Sequence, residues 1–264
     1  MMTTVMREKV ALITGGSKDT GADLVRKFVR LGTKVAIVDV DMDAAQTLAS
    51  EIDPSNSSVL AIRCDVAKQT DVQSAFAKTL ERFGRLDYLI NLAGPYRPRD
   101  PLEQWEFMVS TNLLGTLYAT RAAVDAMKKH GGSVVNVASD SGLGFGPEQQ
   151  PAYGAAKAGV MRFTAALQFL AKDHGIRVNC VVPDWIGTHA VMSWISQLSP
   201  TECAANHVPT HMITTSEFAD LIIDVATRKD LAGRVILSWS GKPPEVIEYG
   251  DRGYQSVEHL LPSV

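Results

Sequence analysis

Tyr153 and Lys157 stand four residues apart at the start of an alanine-rich, apolar segment that continues to Ala171. On a helix, four residues make about one turn, so both side chains would leave the same face. A lysine ammonium close to a phenol favours the phenolate, which lowers a tyrosine pKa from its usual value of about 10. The pair makes Tyr153 a candidate general acid or base, although an exposed tyrosine beside a solvated lysine would show the same spacing.

The rest of the chain predicts the elements that would position this pair. Short apolar runs alternate with segments of helical periodicity, and strands separated by helices imply a parallel sheet. We therefore predict an α/β fold, a Rossmann-type doubly wound parallel sheet in a single domain over residues 1–264. The expected strands are 9–14, 34–39, 59–64, 86–91, 133–138, 177–182 and 234–238, and the expected helices are 22–31, 44–52, 70–83, 102–129, 153–174 and 217–227.

A glycine-rich turn follows the first expected strand, with the sequence Thr14-Gly-Gly-Ser-Lys-Asp-Thr-Gly21. Before a helix, such a turn directs backbone N–H groups and the positive helix end at an anion. Asp39 ends the second expected strand, eighteen residues after Gly21, where a carboxylate can hold a ribose 2′-hydroxyl. Together, the turn and Asp39 predict a dinucleotide site.

Composition excludes several classes of protein. The chain is 45% hydrophobic and 21% charged, which suits one sizeable core. A net charge of -3, with no basic block longer than Lys128-Lys129, leaves no general attraction for nucleic acid or an anionic membrane. Three scattered cysteines fit reduced thiols better than disulfides. No signal-peptide pattern and no apolar run of about 18 residues is present, so we expect a cytoplasmic protein without nucleic acid or membrane partners.

Several further motifs resemble the short-chain dehydrogenase/reductase family over Val10 to about Ser240. Asn91-Leu-Ala-Gly94 is similar to the family's Asn-Asn-Ala-Gly element, and Cys64-Asp65-Val66 is similar to its adenine contact. Asn112 matches its helix asparagine, and Val135-Asn-Val-Ala-Ser139 matches its catalytic-serine strand. The resemblance identifies Asn112, Ser139, Tyr153 and Lys157 as the catalytic set.

The resemblance implies hydride transfer between NAD(H) and a small alcohol or carbonyl substrate. In this scheme Ser139 holds the substrate oxygen while Tyr153 donates or removes its proton. Lys157 lowers the Tyr153 pKa and holds the nicotinamide ribose, and Asn112 kinks its helix and positions a water. Ser141, two residues after Ser139, is the alternative serine.

The cofactor contacts implied by the resemblance come from several strand ends. Asp39 would face a 2′-phosphate at contact distance and repel it, whereas Lys18 would attract one. A flexible lysine with Asp19 as its immediate neighbour does not cancel this repulsion, so NAD is the expected cofactor and NADP the less favoured one. The expected cofactor-binding residues are Gly15, Ser17, Lys18, Asp19, Thr20, Asp39, Asp65, Val66, Asn91, Ala93, Gly94, Tyr153, Lys157, Pro183, Ile186 and Thr188.

Two acids replace glycines of the family pattern. Asp19 stands at the second glycine of the turn, and Asp184 replaces the glycine of a Pro-Gly-x-Ile-x-Thr loop. Asp19 either turns outward and caps its helix or obstructs the pyrophosphate. The alternative function is therefore a protein of this fold that has lost cofactor affinity and acts as a binding or regulatory protein.

The stretch 184–216 is irregular and is expected to form a substrate flap beyond the strand ends. Its aromatic and sulfur-containing side chains could line a substrate cavity or simply pack. The candidate substrate residues are Tyr96, Ser141, Trp185, His189 and Met192. His207 and His211 have a metal-like spacing, but Pro209 lies between them and no third ligand follows, so we expect no metal.

Residues 240–264 form a tail that differs from the short Asn-Val-Asp-Gly-Gly ending of the family's bacterial tetramers. The tail therefore leaves a homodimer and a homotetramer equally open. The expected dimer faces are the helices 102–129 and 153–174, because each carries more apolar residues than one sheet-facing side can absorb.

Overall fold

The computed structural model describes residues 6–95, 104–144 and 151–247, so the candidate substrate residue Tyr96 lies outside the described residues. The strands are β1 (Val10–Thr14), β2 (Lys34–Asp39), β3 (Val59–Arg63), β4 (Tyr88–Asn91), β5 (Gly132–Val137), β6 (Ile176–Pro183), β7 (Val235–Ser238) and β8 (Glu245–Ile247). They form one sheet in the order β3-β2-β1-β4-β5-β6-β7-β8. Strands β1 to β7 are parallel, and β8 pairs antiparallel with β7, so the predicted doubly wound parallel sheet is confirmed.

Helices flank this sheet. They are α1 (Asp19–Arg30), α2 (Met42–Ile52), α3 (Gln69–Phe83), α4 (Trp105–Val109), α5 (Gly115–Met127), α6 (Pro151–Ala166), α7 (Phe169–His174), α8 (His189–Ile195), α9 (Pro200–Ala205) and α10 (Thr215–Thr227). Within the described ranges, none is long and apolar enough to cross a membrane.

The sequence of the central strand β1 explains why helices pack on both faces of the sheet. All five of its residues are buried. Ile13 packs into one apolar cluster with Phe28 of α1, whereas its neighbour Leu12 packs into a second cluster with Phe76 of α3. Successive side chains of a strand point to opposite faces, so a run of consecutive apolar residues is buried only between two helical layers.

The helix expected over 102–129 is not a single regular α-helix. Between α4 and α5 it contains a π-helical turn, Ser110–Leu114. Such turns are rare inside helices and occur frequently at functional sites. The expected kink at Asn112 is thus present as a widened turn.

The helix expected over 153–174 begins two residues earlier and is broken between α6 and α7. Thr164, close to the break, donates a hydrogen bond from its hydroxyl to the carbonyl of Val160. This back-bond to the preceding turn competes with the helical ladder and bends helices.

The flap was expected to be irregular, but it contains α8 and α9. Thr188 caps α8 by accepting a hydrogen bond from the N–H of Val191, and Ser199 and Glu202 form a capping box for α9. Neither helix has a buried residue, and with seven and six residues both are too short to give the extended periodic pattern on which the prediction relied.

The strand order reverses its direction of growth between β1 and β4, which lie side by side. In open α/β sheets, the crevice outside the carboxyl ends of the strands at this point holds the ligand. The glycine-rich turn between β1 and α1 closes one side of that crevice. A Cβ on Gly21 would lie 2.1 Å from the carbonyl oxygen of Gly15, so the turn can close only with glycine there.

We expect Gly21→Ala to destabilise the fold by roughly 2–4 kcal/mol, since backbone on both sides of the clash would have to shift. Gly84→Ala is the matched control. Gly84 has φ +78, but nothing lies within 4 Å of a Cβ there, so this change should cost only about 1 kcal/mol of backbone strain. Urea unfolding of both variants measures the difference, and equal losses would contradict the close approach.

Candidate active site

Lys157 lies at the centre of the site, one turn into α6, with only 3% of its surface exposed. Its ammonium donates a hydrogen bond to the carbonyl of Val137 at the end of β5, at 3.0 Å, and lies 5.5 Å from the ring centroid of Tyr153. Burial lowers the pKa of Lys157 to about 8. The side chain therefore still carries a proton at neutral pH and places a positive charge beside the Tyr153 phenol.

Asn112 lies in the π-helical turn and faces the same region. A Cβ built on Gly94 would come within 2.7 Å of the Asn112 Oδ1 and 2.8 Å of the Lys157 Nζ. The Oδ1 is buried and accepts no hydrogen bond from any residue that the structure describes, while the Nδ2 donates to the carbonyl of Pro95 at 3.3 Å. A buried acceptor of this kind costs free energy unless water or a ligand satisfies it.

Ser139 follows β5 and is drawn toward α6 by the 3₁₀ turn Asp140–Leu143. This turn packs directly on the helix, because a Cβ on Gly142 would lie 2.6 Å from the backbone nitrogen of Ala158. The Ser139 hydroxyl donates to the Asp140 carboxylate at 3.0 Å and accepts from the N–H of Ser141 at 3.3 Å. The turn thus brings both candidate serines to the helix that carries Tyr153 and Lys157.

Asp140 is a residue of this site that the sequence reasoning missed. It is 9% exposed, and burial raises the pKa of its carboxyl, to which the nearby negative charge of Asp184 adds. An acid directly after the expected catalytic serine was the available signal. Its effect is to orient the Ser139 hydroxyl through the bond that it accepts.

Ser17 and Asp39 join the glycine-rich turn to the end of β2. The N–H and hydroxyl of Ser17 both donate to one oxygen of Asp39, at 3.1 and 2.7 Å. The other oxygen accepts the N–H of Asp41 at 3.1 Å. Asp41, also missed from the sequence, forms a salt bridge with Lys18, so that lysine is already paired with a carboxylate.

Further cofactor candidates lie at the ends of β1, β3 and β4. Gly15, at φ +68, packs against the backbone after β4, where its Cβ would lie 2.9 Å from the nitrogen of Ala93. Val66 follows β3 and packs against Gly115. Asp65 accepts the N–H of Ala67 at 3.1 Å.

The Asn91 side chain forms structural hydrogen bonds at the end of β4. Its amide is buried and donates to Asn136 at 2.9 Å and to Thr120 at 3.1 Å. These bonds tie β4 to β5 and α5, so the proposed cofactor contact at this position falls to the backbone rather than to the side chain.

Asp19 does not cap its own helix, which removes the first of the two outcomes expected for it. Lys18 is the N-cap residue of α1, and no side-chain cap bond is present there. Instead, the Asp19 carboxylate accepts a hydrogen bond from the N–H of His189, the first residue of α8, at 2.8 Å. The turn is thereby connected to the flap.

The Asp184 carboxylate likewise accepts hydrogen bonds from another part of the chain. Its two oxygens accept the N–H of Ser240 at 2.9 Å and the hydroxyl of Ser240 at 3.0 Å, so it anchors the chain that leaves β7. Two bonds thus hold the carboxylate to this segment.

The flap candidates lie on both sides of Ile186, which forms a β-bridge with Ile213. Trp185 stacks on Trp194 of α8 with ring centroids 6.0 Å apart, and Met192 is half exposed. Within the described ranges, no group of three or more His, Cys, Asp or Glu side chains could hold a metal ion.

The buried charge of Lys157 predicts a specific pH dependence of stability. The folded-state pKa of about 8 lies below the ordinary lysine pKa of 10.5, so below pH 8 both the folded and the unfolded state are protonated and the folded state bears the full cost of burial. Between about pH 8 and 10.5 the unfolded state binds more protons, and this cost disappears as pH rises. We expect the stability advantage of Lys157→Met over wild type to shrink by on the order of 3 kcal/mol from pH 7 to 10.5.

Urea unfolding at several pH values measures this difference, with Tyr153→Phe added to both proteins because the phenol beside Lys157 would otherwise titrate differently in the two. Lys172→Met, at an exposed lysine of α7, is the control and should show a difference that does not change with pH. A constant difference for Lys157→Met as well would contradict the lowered pKa.

Comparison with known proteins agrees with this geometry. A family model described as short chain dehydrogenase matches residues 9–199. L-fucose dehydrogenase of Oryctolagus cuniculus is 33% identical over 202 residues, which cover 75% of this chain and 69% of that enzyme. The 15-hydroxyprostaglandin dehydrogenase (NAD(+)) of Homo sapiens is 34% identical over 188 residues, which cover 68% of this chain and 69% of that enzyme.

A solved structure gives the same result. The crystal structure of levodione reductase aligns with a TM-score of 0.78 at 28% identity, over 88% of this chain and 96% of that one. Both the sequence and the three-dimensional arrangement are therefore shared over most of the chain. The chain belongs to the short-chain dehydrogenase family, whose members are oxidoreductases that bind a nicotinamide cofactor.

Proposed function

We propose that this protein is an NAD-dependent dehydrogenase or reductase that transfers a hydride between NAD(H) and a small alcohol or carbonyl substrate. The observation that carries this proposal is the buried Lys157 ammonium, 5.5 Å from the Tyr153 ring, at the carboxyl edge of the sheet. A structural lysine has no need to be buried at such a cost, whereas a proton-transferring tyrosine needs a fixed positive charge nearby.

In the proposed mechanism, Tyr153 takes the proton of an alcohol during oxidation and returns it to a carbonyl oxygen during reduction. Lys157 stabilises the phenolate that forms. Ser139 holds the substrate oxygen, and Asp140 orients the Ser139 hydroxyl through the 3.0 Å bond between them. The cofactor, when bound, supplies or accepts the hydride.

Features of the crevice support a dinucleotide. Gly15 and Gly21 leave no room for a Cβ, which brings the start of α1 close to the strand ends. The N–H groups at a helix start attract phosphate. The same crevice is polar at its other end, where the Lys157 ammonium and the Asn112 Oδ1 lie. This Oδ1 is buried and has no hydrogen-bond partner among the described residues.

The charges around Asp39 favour NAD over NADP. Asp39 and Asp41 place two carboxylates at the end of β2, joined by the bond from the Asp41 N–H. Lys18 could attract a 2′-phosphate, but it already forms a salt bridge with Asp41. Repulsion between unit charges at about 4 Å is worth roughly 4 kcal/mol at an effective dielectric constant of 20, so a 2′-phosphate is disfavoured.

The substrate class rests on the flap and on the relatives. Two relatives are dehydrogenases, named for L-fucose and for 15-hydroxyprostaglandin, which supports an alcohol as one partner of the reaction. Trp185, His189, Met192 and Ser141 are the described residues that we propose to line the substrate side.

A second candidate function has one observation in its favour. The Asp19 carboxylate lies at the start of α1, where a pyrophosphate would bind, and is held there by the His189 N–H. If the Asp19 carboxylate permanently blocks this position, the protein would bind partners and catalyse no reaction. Titration of the purified protein with NADH, followed by nicotinamide fluorescence, separates the two: saturable binding supports the enzyme, and its absence supports the binding protein.

Tyr153→Phe should remove nearly all turnover and leave NADH affinity close to that of wild type, since only the phenolic proton is lost. Steady-state rates on a panel of alcohols and ketones, together with NADH titration, measure both effects. Tyr118→Phe in α5 is the matched control and should keep full activity. Turnover near the wild-type rate in Tyr153→Phe would remove Tyr153 from the mechanism.

Asp39→Ala should narrow the preference for NAD over NADP, since it removes both the repulsion and the ribose contacts. Asp41→Asn should also narrow it, by releasing Lys18 from its ion pair while leaving Asp39 in place. The ratio of kcat/KM for the two cofactors on one substrate measures both changes. A wild-type enzyme that prefers NADP would contradict the assignment.

A further inference from the structure

Asp19 joins the glycine-rich turn to the flap through a hydrogen bond across the crevice. Its carboxylate and the His189 N–H are 2.8 Å apart, although the two residues are 170 positions apart in sequence. A hydrogen bond to a charged acceptor is stronger than one between neutral groups. This single bond therefore contributes substantially to the position of α8.

The backbone of Asp19 is strained in making this contact. Its φ is +46, in the left-handed region that favours glycine, and only three other non-glycine residues among those described share this feature: Glu8, Asn56 and His207. Strain of this kind persists only where surrounding contacts hold it. At Asp19 the described contact is the bond to α8.

The His189 N–H also needs this acceptor. The first N–H groups of a helix have no partner within the helix, and Thr188 uses its side chain to cap Val191 instead. Asp19 supplies the acceptor from another part of the fold. The flap is internally connected, because Trp194 of α8 stacks on Trp185, so a displacement of His189 is transmitted along it.

We propose that Asp19 is an internal anion that latches α8 onto the start of α1, and that a dinucleotide must displace its carboxylate to bind. The displacement rests on the proposed function, namely that the crevice holds NAD(H). Asp19 is the first residue of α1, whose start would attract the pyrophosphate, and its carboxylate and the pyrophosphate are both anions that repel one another at contact distance. Cofactor entry therefore breaks the latch and frees the flap.

The first test needs no cofactor. Hydrogen–deuterium exchange at the His189 amide should be about tenfold faster in Asp19→Gly than in wild type, since the charged acceptor is lost. Asp19→Asn should lie between them, because asparagine also tolerates a positive φ and keeps an oxygen acceptor without the charge. Asp43→Asn, at an exposed acid of α2, should match wild type.

The second test is calorimetric titration of the same four proteins with NADH. Asp19→Gly should bind about tenfold more tightly than wild type, Asp19→Asn should bind with an intermediate affinity, and Asp43→Asn should be unchanged. Unchanged exchange at His189 in both Asp19 variants would overturn the latch. Faster exchange without tighter NADH binding would overturn the displacement. If exchange is faster and no protein binds NADH, the latch contact stands and the proposed dinucleotide function fails.

Discussion

Burial of the Lys157 charge is the constraint on which the candidate site depends. An ammonium removed from water is stable only where the fold supplies acceptors for it. The Val137 carbonyl, at the end of β5, is one such acceptor, and the side-chain oxygen of Asn112 lies close by. The end of β5 and α6 are therefore tied together through a single charged group, and the π-helical turn lies close to it.

The same arrangement explains why the site is formed at the carboxyl edge of the sheet. Parallel strands such as β4 and β5 end together at this edge, and each is followed by a connection toward a helix. Glycine is required where these connections touch, at Gly15 against the backbone after β4 and at Gly142 against α6. Close backbone contact limits the freedom of the side chains that flank it, which is the condition for a fixed proton-transfer geometry.

Three carboxylates lie around the crevice, and each accepts hydrogen bonds from the chain. Asp39 is held by Ser17, Asp184 by Ser240, and Asp19 by the amide of His189. Each carboxylate is thus satisfied by N–H or O–H donors of the chain itself. The crevice therefore carries carboxylates that the chain itself already satisfies, including the one that Asp19 directs at α8.

Local patterns along the chain were sufficient to predict the fold class, the family and most of the strands. Alternation of apolar runs and helical periodicity depends on near neighbours, and so does the one-turn spacing of Tyr153 and Lys157. These features depend only on short segments, so the sequence alone was enough to predict them. The helices α8 and α9 are short and have no buried residue, and so the same reasoning did not find them.

Only the tertiary structure decided what the polar groups contact. The sequence left Asp19 with two outcomes, and its partner proved to be an amide on α8, far along the chain. It also gave no sign that Asp140 would be desolvated or that Lys18 would be paired with Asp41. Burial and hydrogen-bond partners are set by segments that meet only after packing. A residue's type and spacing therefore predict its chemistry, while its pKa and its partner depend on the completed fold.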